Sequence, residues 1–150
     1  MKLRAVLLLA AICVAPHVAV RADDACADET CASHLNDLRG VLANAEDVAD
    51  YVVRLRRELH LQPELMWTEH KTSAVVKREL TAMGVSFEEI SAPGVVATIG
   101  SGSAPVVALR ADLDALPVTE ESDIPAERRS QVPGKMHACG HDGHTAMLLG

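Results

Sequence analysis

Apolar residues change their spacing at Gly84, and that change restricts the chain to folds that mix helices with strands. Before it, Val48, Val52, Leu55 and Leu59 recur at three- and four-residue steps. This predicts a helix that ends near His60, ahead of Pro63, with Asn44 as its cap and Arg54, Arg56, Arg57 and Glu58 turned mostly outward. A second helix is predicted from Thr68, as N-cap, to Met83, because Val75, Val76, Leu80 and Met83 form an apolar stripe and Gly84 supplies the stop. Beyond Gly84, residues 85–90 and 95–99 read as short strands, the first closed by Ser91-Ala92-Pro93-Gly94 and the second by Gly100-Ser101-Gly102-Ser103. Residues 106–109 read as a buried strand that runs directly into Arg110, Asp112 and Asp114. Helices followed by strands that end in polar loops define an α/β layer, in which sites are built beyond the carboxyl ends of strands. Chemistry is therefore expected after Leu109. A last apolar helix, starting at His144, meets the end of the sequence in its second turn with nothing yet to pack on, so the chain is expected to be part of something longer.

The amino terminus reads as a processing signal. Lys2 and Arg4 precede an apolar run from Ala5 to Ala15, and small residues around Ala22 suit signal-peptidase cleavage. The run is well short of the ~20 residues a bilayer core requires, so the signal is expected to be removed, leaving no membrane attachment. Residues 1–22 are thus assigned to a signal peptide, 23–46 to a polar leader with a short helix near Leu35 and Leu38, and 47–150 to the start of a folded domain. The destination is the secretory pathway, either the endoplasmic reticulum lumen or the exterior. Cleavage removes Cys13 and leaves Cys26, Cys31 and Cys139, an odd number in an oxidising compartment. Cys26 and Cys31 lie close enough to pair locally, which would leave Cys139 over. The excess of 21 acidic over 14 basic side chains and the near absence of aromatics set aside a nucleic-acid partner, which needs a basic footprint and stacking surfaces.

Three segments carry ligand-type residues. GKMHACGHDGH places His137, Cys139, His141, Asp142 and His144 within eight residues, punctuated by Gly134, Gly140 and Gly143. Glycines let the backbone turn tightly, so that Cys139 and His141 can converge on one ion from a short looped segment. A thiolate with an imidazole suits Zn²⁺, Mn²⁺, Co²⁺ or Ni²⁺, and spacing does not choose among them. Each residue also has a plainer reading: His137 and His144 as surface or helix-start residues, Cys139 as a small buried hydrophobe. In ALRADLDALPV, Asp112 and Asp114 alternate and so share one side of an extended chain, where they repel unless a metal, a histidine or Arg110 stands beside them. Their plainer reading is a cap or a solvated turn before Pro117. The third segment, RRELHLQPEL, holds Arg56, Arg57, His60, Pro63 and Glu64; a histidine in a last helical turn is usually structural.

Taken together, these segments resemble the metal-dependent amidohydrolases of the aminoacylase and carboxypeptidase superfamily, in the branch of hippurate hydrolase and the plant hydrolases of auxin amino-acid conjugates. The likeness runs from about Ala49 to Gly150 and rests chiefly on GKMHACGHDGHTAMLLG. It implies the N-terminal part of a metallopeptidase-like catalytic domain, a mixed sheet flanked by helices, truncated before a smaller lid or dimerisation domain through which a homodimer would form. It further implies that Cys139 and His141 bind a pair of divalent ions, Mn²⁺ or Zn²⁺, and that Asp114 is the catalytic aspartate supporting the site. At the position of Asp112 most of the superfamily carries a metal-binding histidine; here His141 takes that part from the neighbouring loop, and Asp112 is left out of the ligand set. The implied reaction is hydrolysis of the amide bond of an N-acyl amino acid by a metal-activated water, with a general-base glutamate and two more histidine ligands expected beyond Gly150.

Two other functions compete. If the product ends at Gly150, a non-catalytic metal-binding or interaction module is the alternative, and these residues alone are expected to show no appreciable amidase activity. A nucleophilic Cys139 activated by His141 or His137 is the other; it lacks a recognisable oxyanion loop, and nearby aspartates would raise a thiol pKa unless a metal were present.

Overall fold

The computed structural model describes the backbone of residues 29–150 and the side chains from residue 36 onward. The signal at residues 1–22, Cys13, Cys26 and the side chain of Cys31 lie outside the described residues. The chain divides into two units, residues 1–41 and 42–150. In the leader the expected short helix is a long one, α1 (Glu29–Asp47), of 19 residues. Leu38 and Val41 stand on it exposed.

The second unit is built around α2 (Ala49–Leu61). Asn44 does not cap it: the Asn44 carbonyl accepts the N–H of Val48 at 3.2 Å, an i to i+4 bond that keeps Asn44 in the helical backbone of α1 and out of the extended conformation a cap requires. Leu55 and Leu59 are buried as their spacing predicts, and they meet Ala146 of α4 (His141–Leu149) in a core completed by Tyr51, Val52, Val75 and Leu149. Met147 and Leu148 of α4 are exposed.

Helix α3 (His70–Ala82) begins two residues later than Thr68. The Thr68 hydroxyl is occupied by the Leu65 carbonyl at 2.7 Å, and the cap comes from outside the helix: the Glu64 carboxylate accepts the Thr72 N–H at 2.9 Å and its hydroxyl at 3.1 Å. A carboxylate there satisfies otherwise orphaned N–H groups and faces the positive end of the helix dipole. At the other end Gly84, with φ +69°, closes the helix as expected, with Val85 N–H on the Leu80 carbonyl at 2.9 Å and Gly84 N–H on that of Thr81 at 3.0 Å.

The two expected strands form an antiparallel hairpin, shorter than their apolar runs: β1 (Phe87–Glu89) pairs with β2 (Val95–Ala97), Phe87 opposite Ala97 and Glu89 opposite Val95. Gly94 closes the turn, and a Cβ there would lie 2.5 Å from the Ile90 carbonyl oxygen. Residues 106–109 depart from expectation. Val106, Val107 and Leu109 are more than 70% exposed and belong to no strand. An extended apolar run becomes a strand only where a neighbour supplies the hydrogen-bond ladder, and among the described residues none flanks it. No described helix is long and apolar enough to cross a membrane.

Candidate metal centre

Two backbone seams pin the aspartate segment, one to the chain after α2 and one to the glycine-rich segment. The Ala115 N–H donates to the Glu64 carbonyl at 2.7 Å, and Leu116 and Met136 exchange N–H···O bonds at 2.9 and 3.0 Å. Asp114 is thereby held beside the chain that leads through His137 and Cys139 into α4. Gly140 makes the entry: its φ of +78° is a left-handed conformation open to glycine, and it places His141, not His144, at the first position of the helix.

His141 then reaches back to Asp114. Its Nδ1 lies 2.9 Å from the Asp114 carbonyl oxygen and 3.0 Å from Oδ1, two acceptors, so Nδ1 is the donor there. A carboxylate that orients an imidazole in this way is the usual support of a metal-binding histidine. Cys139, two residues earlier, is exposed and has a free thiol. These two side chains can hold an ion through Sγ and Nε2, a soft and a borderline donor that together fit a divalent transition metal. Among the described residues no three His, Cys, Asp or Glu side chains gather into a complete metal cage.

The other residues of the three segments fall elsewhere. Asp112 pairs with Arg110 at the surface, Arg110 Nη1 to Oδ2 at 3.1 Å, and offers only its carbonyl to the interior, where it accepts the Thr145 hydroxyl at 3.1 Å. The two aspartates therefore do not face one charge together: Arg110 stands beside one and His141 beside the other. His144 is exposed, its ring 5.7 Å from that of His141. His137 is no surface residue. It is 4% exposed with neither ring nitrogen hydrogen-bonded, and burial pushes its imidazole below the usual range against the opposing charge of Asp142.

A second constellation escaped the sequence reading. His60 is buried between two carboxylates, with Nδ1 2.7 Å from Asp142 Oδ2 and Nε2 3.2 Å from Glu120 Oε1. A carboxylate only accepts, so it takes its hydrogen bond from the ring, while Arg56 Nη2, itself a donor, also lies 3.2 Å from Nδ1. Arg56 Nε joins at 2.8 Å from the same Asp142 oxygen. Burial alone would raise the Glu120 carboxyl; hydrogen bonds from the Ser122 hydroxyl and the Ser130 N–H, both 2.5 Å, and then His60 outweigh it and bring it down to about 2. The i, i+4 spacing of Arg56 and His60 was visible in sequence. Glu120 carried no sign, because it sits in a loop 60 residues from the histidine it meets.

The low Glu120 value has a consequence for stability. The unfolded chain takes up this proton near the ordinary 4.5 while the folded one resists it until about 2. The contribution of Glu120 is therefore complete above 4.5 and is lost as pH falls through that window. Thermal midpoints measured from pH 6 to 2 should drop more steeply below 4.5 in the parent protein than in Glu120→Gln; parallel curves would contradict the assignment.

The helices and hairpin match part of a metallopeptidase-like catalytic domain. Residues 108–150 match the model of Peptidase family M20/M25/M40. The chain is 53% identical over 110 residues to IAA-amino acid hydrolase ILR1-like 5 of Arabidopsis thaliana, covering 73% of this chain and 25% of that protein. It is 46% identical over 110 residues to Thermostable carboxypeptidase 2 of Saccharolobus solfataricus, covering 71% of this chain and 28% of the other. Among solved structures, the YXEP protein of Bacillus subtilis, described as a dinuclear metal binding peptidase from the M20 family, superposes with a TM-score of 0.62 at 38% identity, covering 69% of this chain and 29% of that one. Over the residues these comparisons cover, the chain resembles peptidase family M20/M25/M40. It spans about a quarter of the length of the curated relatives it matches.

Proposed function

We propose that this chain supplies part of the metal-holding apparatus of a secretory-pathway amidohydrolase that cleaves N-acyl amino acids, with conjugates of indole-3-acetic acid as the leading substrate class. The observation that carries the reading is the orientation of His141: Asp114 occupies Nδ1 and leaves Nε2 free, two residues after an exposed thiol. Support for the substrate class comes from the Arabidopsis relative named as an IAA-amino acid hydrolase. Cys139 and His141 would hold a divalent metal, Mn²⁺ or Zn²⁺, as one of a pair. When bound, such a metal supplies Lewis-acid activation of water and of the amide carbonyl. This chain's own residues hold and orient. Asp114 fixes the tautomer and plane of His141, and the Cys139 thiolate contributes negative charge. The left-handed turn at Gly140 keeps the two donors at the head of α4.

Protein expressed from the full reading frame and stripped with a chelator should lose hydrolysis of an N-(indole-3-acetyl) amino acid and regain it with Mn²⁺ or Zn²⁺. Turnover that survives complete metal removal but not thiol alkylation would overturn the reading in favour of a nucleophilic cysteine.

A further inference from the structure

We propose that Arg56, His60 and Glu120 form a positioning network that acts through Asp142 to hold His141 in its metal-ready orientation. The inference rests on the metal reading above. Asp142 is the residue after His141, on the first turn of α4, and its side chain is 1% exposed. One of its oxygens accepts from His60 Nδ1 at 2.7 Å and forms an ion pair with Arg56 Nε at 2.8 Å, and the other accepts the Gly143 N–H at 2.8 Å. On the far side of His60, Glu120 carries the network into the loop of Ser122 and Ser130. Helix α2, that loop and the head of α4 are thus joined by the His60 hydrogen bonds and the Arg56 ion pair.

The consequence for His141 follows from geometry. Gly140 has no side chain with which to cap α4, so nothing at the N-cap itself fixes the rotation of the first turn. Asp142 fixes it sideways. Rotating the turn enough to redirect His141 Nε2 would break the His60 hydrogen bond and the Arg56 ion pair to a buried carboxylate, contacts stronger than those between neutral groups. Asp114 holds the ring and the network holds the backbone that bears it, so the two clamps are independent. A purely scaffolding role is the poorer account of these groups, because well-packed apolar side chains at such buried positions stabilise a fold as well or better. A network of charges ending on the residue next to His141 instead fixes one geometry.

The test alters the edges of the network, since loss of His60 endangers the fold. Arg56→Lys keeps the charge and removes the Nε contact; Glu120→Gln removes the far anchor. In protein from the full reading frame, Co²⁺ would be titrated by its visible d–d absorption and its near-ultraviolet thiolate band, with far-ultraviolet circular dichroism as the check on folding. Both variants should bind Co²⁺ roughly 10- to 100-fold more weakly with an altered d–d envelope, the range for groups that orient a metal ligand. Arg57→Ala, an exposed neighbour on α2, should leave affinity and spectrum unchanged. If either variant is folded and binds Co²⁺ with the parent's affinity and spectrum, the network is scaffold only and the proposal fails. A parent protein that binds no Co²⁺ would overturn the metal reading itself, a different and recognisable result.

Discussion

Cys139→Ser, made in the protein expressed from its full reading frame, is expected to lower bound metal after dialysis and to abolish hydrolysis of N-acyl amino acids. A serine hydroxyl stays neutral where the thiolate is charged, and a thiolate's negative charge is a large part of what a short Cys-Gly-His segment offers a divalent cation. Cys139 lies exposed beside the helix start and carries no packing, so the substitution should leave folding intact and its effect can be read as chemistry. Asp114→Asn should behave differently. An amide can still accept from His141 Nδ1 but brings no charge to polarise the ring, so metal affinity or activity should fall by the ~10- to 100-fold typical of a supporting group, with some metal retained. Metal analysis together with turnover under restored Mn²⁺ or Zn²⁺ separates the two variants. A Cys139→Ser enzyme with full metal content and normal rate would remove the thiolate from the site.

Sequence reading reaches what is local: Cys139 and His141 stand two residues apart around Gly140, whose left-handed turn opens α4. The facing of Asp114 toward His141 followed less directly, since 27 residues separate them and the segments meet through the Leu116–Met136 backbone bonds and the Thr145 hydroxyl on the Asp112 carbonyl. Helices α2 and α3 were legible because burial of one face repeats with the helical period. Their starts were not: Asn44 and Thr68 are good cap types, yet one is held inside α1 and the other is bonded to Leu65, while a glutamate outside the helix does the capping of α3. Residues 106–109 show the complementary failure. Apolar composition names a candidate strand, but pairing depends on a partner that composition does not contain. The buried ion network was the least legible feature, because its members come from a helix, a loop and a helix start, and a histidine late in a helix has an ordinary explanation in the dipole.

The network also yields the largest stability effect. His60→Leu is expected to destabilise the protein by about 3–5 kcal/mol, the cost of removing one partner from a buried ionic group. Leucine fills much of the imidazole's volume, so the loss is polar: Asp142 retains Arg56 and Glu120 retains Ser122 and Ser130, but each carboxylate loses its buried contact with the ring. Against the ~5–15 kcal/mol by which domains are typically stable, this brings the fold close to its limit. Removing one of the exposed-to-repulsion charges should return part of the loss. In the double variant His60→Leu/Glu120→Gln the neutral amide has no charge to leave unpaired, so the two changes should combine less than additively, with a coupling of about 0.5–3 kcal/mol. Urea denaturation of the parent, both single variants and the double variant measures that coupling. Strict additivity would mean that His60 and Glu120 do not sense each other, and that the 3.2 Å contact between them carries no energy.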